Sequence, residues 1–183
     1  MAFGLRPTKR NGDRANSSGF TELPIASAYA SNIFNGDPVI LNAGNVQLGA
    51  GVPQDNANPT IGVFVGCRYT NADGEIKYSQ YYNAGGGSSN TDAFAYVATD
   101  DNTIFRAVGS SAFADSQVGT QVELAAGAGG STATGNSSYV VTNATPTGTG
   151  GVIIMGCPRD GENENSSTPV LFVKWSSGTH SDF

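Results

Sequence analysis

Short apolar runs alternate along this chain with clusters of Gly, Asn, Ser and Asp. The clearest run of the first half is Ile61-Gly-Val-Phe-Val-Gly-Cys-Arg-Tyr69. It ends at Asn71-Ala-Asp-Gly74, and Asp-Gly favours a tight hairpin reversal. In the following segment, 75–82, apolar Ile76 and Tyr78 alternate with polar Glu75, Lys77 and Ser79, the period of a half-buried strand. Further strands are predicted over 23–30, 38–41, 93–99, 103–108 and 138–142, with a weaker one over 121–124. The strongest runs of the second half are 152–157 and 170–175. A short helical turn is predicted within 111–118, and no segment carries a helical period longer than two turns. About ten short strands at regular spacing predict an all-β fold, an antiparallel β-sandwich or barrel of jelly-roll-like kind. Gly62, Gly66 and Gly156 lie inside strands, where glycine marks a bend or a close backbone approach. Segments 83–92, 125–136 and 158–169 read as loops, with the low-complexity 125–136 expected to be mobile at the surface.

Composition supports the β reading. Charged residues are only 13% and apolar residues 38%, while Gly alone numbers 25. That is poor in the Leu, Glu, Lys and Arg that build helices and too uncharged for a typical disordered chain. The two cysteines, Cys67 and Cys157, fall in apolar runs and are expected to be free thiols. No apolar leader follows Met1, and no run reaches the roughly 18 residues of a membrane helix. The Asn-x-Ser/Thr triplets at Asn16, Asn136, Asn143 and Asn165 are expected to reflect composition.

Candidate chemistry is sparse, which predicts a protein that is not an enzyme and needs neither metal nor cofactor. The single histidine, His180, is adjacent to Ser181 and Asp182, whereas triad members must meet in space. Soft metals need clustered Cys and His. The acidic run Asp160/Glu162/Glu164 lacks the full ligand set of a calcium loop. No phosphate loop, dinucleotide fingerprint or nucleophile elbow is present. Tyr78, Tyr81 and Tyr82 form an aromatic cluster, and a carbohydrate-stacking face there is the alternative reading.

Charge sign divides the chain. Residues 1–20 hold Arg6, Lys9, Arg10 and Arg14 against Asp13, while residues 21–183 hold five basic and fourteen acidic side chains. The organisation expected is an extended N-terminal arm over 1–20 and a β-sandwich or barrel domain over 21–183. Phe3 and Leu5 are spaced for one face of an extended chain. Together, Phe3, Leu5, Arg6, Lys9, Arg10 and Arg14 are the candidate partner-binding residues. An acidic body argues for a protein partner rather than nucleic acid.

Met-Ala-Phe-Gly-Leu-Arg-Pro-Thr over 1–8 resembles the start of small head proteins of tailed phages. The later order of Gly36-Asp37-Pro38-Val39, Ile61 to Gly66, and Val97 to Phe105 with its Asp-Asp is similar to capsid decoration (cement) proteins. The likeness covers about the first two thirds of the chain. It implies a virion protein on the outer capsid, bound between capsomers to the major capsid protein, as a homo-oligomer and often a trimer. The alternative is a fibre-like or carbohydrate-binding module of the virion surface. Neither reading involves nucleic acid or membrane.

Overall fold

The computed structural model describes residues 2–10, 20–27, 29–49, 60–84, 91–126, 129–144 and 150–176. Among these run thirteen strands: β1 (Arg6–Arg10), β2 (Thr21–Pro24), β3 (Pro38–Asn42), β4 (Asn45–Leu48), β5 (Thr60–Thr70), β6 (Ile76–Ser79), β7 (Thr91–Ala98), β8 (Thr103–Val108), β9 (Gln121–Val122), β10 (Leu124–Ala125), β11 (Val140–Val141), β12 (Val152–Gly156) and β13 (Val170–Trp175). A 3-10 turn at Asp115–Gln117 lies within the segment expected to hold a helical turn. The one α-helix among the described residues, α1 (Gly161–Glu164), is a single turn in the 158–169 loop, capped by Asp160, whose carboxylate accepts from Asn163 N.

The strands form a five-stranded sheet in the order β1-β8-β13-β12-β9, a β10-β11 pair, and a six-stranded sheet in the order β2-β7-β5-β3-β4 with β6 against β5. All pairing within these sheets is antiparallel. The arrangement is an all-β sandwich type and not a closed barrel. The six-stranded sheet nevertheless curls. Its end strands β2 and β4 stand at opposite ends of the strand order, yet Ile25, just past β2, makes an isolated parallel bridge to Val46 of β4.

Strand β5 organises the six-stranded sheet. Residues Val63 to Thr70 pair with β7 on one side; on the other, Thr60 to Val63 pair with β3 and Cys67 to Thr70 with β6. Its two internal glycines sit at close approaches or irregularities. A Cβ at Gly62 would lie 2.3 Å from Ala98 O, and Gly66 borders a register shift against β7. Such shifts mark β-bulges, which bend and twist the strand. The Asn71–Gly74 reversal forms as predicted, with Asn71 Oδ1 accepting from the backbone of Asp73 and Glu75. A second hairpin, β3–β4, turns on Ala43 and Gly44, both at positive φ.

Two apolar clusters result. The larger joins Leu5, Phe105, Ile154, Leu171, Val173 and Trp175 and reaches Val63 and Ala98 of the six-stranded sheet. The second lies on one face of that sheet and includes Ile33, Val39, Val46, Phe64, Cys67 and Tyr82. Cys67 is free, and burial pushes its thiol up to about 12. Cys157 is half-buried, with Asn163 Nδ2 donating to its Sγ at 2.8 Å.

Two expectations are corrected. Part of the 125–136 loop is tied to the body: Gly135 O accepts from Asn35 N, and Gly130 lies so close to Phe34 that a Cβ would fall 2.1 Å from its ring. The N-terminal segment, expected to stand apart as an arm, supplies β1 to the five-stranded sheet, where Arg6 to Arg10 pair with β8. The physical reason is local. Gly4 adopts φ +69 and sits against Gly36 O and Ser137, so the chain kinks there and turns Leu5 into the core. Leu5 N donates to Gly36 O at 2.9 Å. Beneath this crossing lies Asp37, only 3% exposed, accepting from Phe34 N at 2.7 Å. Burial pushes its carboxyl above the ordinary carboxylate value, against smaller opposing effects of hydrogen bonds from Ser137 and Phe34.

Candidate docking surface

The six residues expected to bind a partner are distributed unevenly by the fold. Leu5 is 0% exposed and belongs to the chain's own core, so it presents nothing to a partner. Phe3 is half-buried. The two do not share a face of an extended strand, because the left-handed Gly4 stands between them. Arg6 is half-buried, its guanidinium held well by Asn136 Oδ1 and its pKa lowered by burial. Lys9 is exposed, with Nζ 5.3 Å from the centre of the Phe172 ring. The Arg10 backbone closes the strand opposite Thr103. Arg14 lies outside the described residues.

What the fold adds is a set of neighbours. Phe105 and Ala107 of β8 point into the core, so Arg106 between them points out and is exposed. Leu171, Val173 and Trp175 of β13 likewise point in, leaving Phe172 and Lys174 on the outer face. Register places Arg6 opposite Arg106, and Arg106 opposite Phe172. Arg6, Lys9, Arg106 and Lys174 therefore share one sheet face with Phe172. The five strands of this sheet contain five of the chain's nine cations and no Asp or Glu. In a chain of net charge −6, that is a pronounced local reversal. Sequence reading stopped at the arm and missed Arg106 and Lys174. Each is a lone cation at an outward position of an apolar strand, a pattern visible in the sequence but unassignable to a common face without the pairing.

The edge of this sheet is shielded against strand addition. Pro7 has no N–H to offer, and the register against β8 shifts between Pro7 and Lys9. Thr8 Oγ1 donates back to Ile104 O at 2.9 Å. Proline, a bulge and cations on an edge strand are devices that prevent edge-to-edge aggregation. The outward side chains of this sheet, not its β1 edge, are therefore the candidate surface.

The tyrosine cluster is also redistributed. Strand β6 ends at Ser79, whose hydroxyl donates to Tyr81 O at 2.7 Å and helps bend the chain. After that bend Tyr82 is 0% exposed and bridges Ile33, while Tyr81 stacks on Phe34 at 5.5 Å between centroids. Only Tyr78 stays outside, at 73% exposed. Tyr82 is thereby withdrawn from the surface, and Tyr81 is left half-buried against Phe34. Among the Asn-x-Ser/Thr triplets, Asn143 is 0% exposed and its amide serves Ser111 and Ala112, so the folded chain offers it to no modifying enzyme.

Among the described residues, no three His, Cys, Asp or Glu side chains group as metal ligands. Comparison with protein-family models, with curated proteins and with solved structures finds no match to this chain.

Proposed function

We propose that this chain is a capsid decoration protein that docks the cationic face of its five-stranded sheet onto an acidic protein surface of the outer shell. The observation that carries the reading is that Arg6, Lys9, Arg106 and Lys174 share one sheet face with Phe172, with no carboxylate in the five strands. An aromatic anchor within a polar, solvent-accessible rim is the usual anatomy of a protein-binding patch. The similarity of residues 1–8 to phage head proteins supplies the partner class, the major capsid protein between capsomers. It also supplies the expectation of an oligomer, most simply a trimer. Many copies on a symmetric shell multiply modest contacts into avidity.

Mixing the purified protein with undecorated capsids tests the proposal directly. Binding is expected, and it should weaken as salt rises from 50 to 500 mM, concentrations chosen to shorten the screening length to a few ångströms. Lys9→Glu combined with Lys174→Glu should abolish it without unfolding the chain. Undiminished binding by that double variant sinks the proposal. Equal binding to free DNA would reassign the same face to nucleic acid. Deleting the N-terminal residues is not a clean test, because it removes Leu5 from the core together with the cations.

A further inference from the structure

A second surface, on the six-stranded sheet and separate from the cationic face, has a different chemistry. Register aligns Tyr78 of β6 and Phe94 of β7 on either side of Arg68, and Tyr96 opposite Gly66. Gly66 has no side chain, so a notch opens over β5 between the flanking strands. The notch is an open groove of about 310 Å³, lined by Val65 to Cys67, by Tyr78 to Gln80 and by Tyr96. That volume lies at the small end of the roughly 300–1,000 Å³ typical of small-molecule sites.

No lining residue is charged. Arg68, beside the groove and hydrogen-bonded to Tyr96, also lies 4.3 Å over the Phe94 ring and pairs with Glu22 at 2.5 Å. The lining thus offers an anion no charged side chain. Its openness gives a wholly apolar ligand too little enclosure. What it does offer is the face of a highly exposed Tyr78 ring, a second ring at Tyr96, the exposed Gln80 amide and the outer backbone edge of β6, which pairs with no further strand among the described residues. An aromatic face for apolar C–H groups beside amide and backbone hydrogen-bonding groups matches a molecule with one apolar face and a hydroxylated rim.

We infer that the Tyr78–Gly66–Tyr96 groove is a binding site for a neutral oligosaccharide, with Tyr78 and Tyr96 as stacking platforms and Gln80 as a hydrogen-bonding group. The site does not depend on the capsid reading, since the isolated chain contains all of it.

The test uses the purified full chain against an array of neutral hexose and N-acetylhexosamine oligosaccharides, with sialylated and sulfated glycans alongside. Any neutral binder is then titrated calorimetrically. Tyr78→Ala and Tyr96→Ala should each lower affinity about tenfold, the upper range for loss of one aromatic contact. Tyr78→Trp should keep it, showing that a stacking ring rather than the fold is at stake. Lys9→Glu should leave it unchanged, separating this site from capsid docking. Three results overturn the inference: no neutral glycan binds at millimolar concentration; binding survives in both alanine variants or is confined to anionic glycans; or the chain self-associates, binds no glycan and becomes monomeric with Tyr78→Ala. The last would make the groove a contact between copies.

Discussion

Single residues carry unequal weight in this chain, and the N-terminal ones carry the most. Leu5 is fully buried although it lies only four residues from Met1. Leu5→Ala is expected to cost about 2–5 kcal/mol in urea unfolding, the range for emptying a buried leucine site. Gly4→Ala should cost at least ~1–3 kcal/mol, since its φ of +69 is strained for alanine and a Cβ would meet Ser137 Cβ at 2.5 Å. Asp37 gives a pH signature. Its folded-state pKa is raised above the ordinary 3.8, so the folded chain holds this proton more tightly than the unfolded chain. Its contribution to stability is therefore greatest below the ordinary value and falls as pH rises through the folded value. Relative to Asp37→Asn, the wild type should gain stability on acidification through that window, and a variant difference that is flat with pH would contradict the assignment. The Cys67 thiol, at about 12, should not react with a disulfide reagent at pH 8 until the chain unfolds.

At the level of elements, β1 is the revealing case. From sequence, residues 1–20 show cations, Pro7 and no apolar periodicity, which reads as an arm. In the structure β1 is the protected edge of a sheet, and its cations join those of β8 and β13. A charge reversal at Lys9 should therefore leave the unfolding midpoint nearly unchanged, because the side chain is exposed and contributes little to the fold. Removal of residues 2–10 should instead destabilise the chain severely, exposing the β8 edge and emptying the Leu5 site. Circular dichroism melts of the two variants distinguish these outcomes. Strand β5 shows the opposite balance of legibility: its apolar run, its internal glycines and the Asn71–Gly74 reversal were all readable, because each depends on residues near in sequence.

The whole molecule is built from distant pairings. β1 finds β8, β8 finds β13, and β2 finds β7. Such non-local sheets fold slowly, so refolding after denaturant dilution should take about milliseconds to seconds or longer rather than microseconds. The sandwich class was legible because strand periodicity and turn residues are local signals. So was the polarity split between a basic N-terminal segment and an acidic remainder. The sequence alone did not decide which strands would be neighbours, and with that it left open every feature that depends on a shared face. Arg106 and Lys174 lie far from Lys9 along the chain and meet it only through the β1-β8-β13 order. Tyr78 stays outside and Tyr82 goes to the core because a bend after Ser79 interrupts the alternation that would have kept them together. Side-chain period fixes which residues can share a strand face; only the long-range register, chosen by burial of the two apolar clusters, fixes which faces are joined.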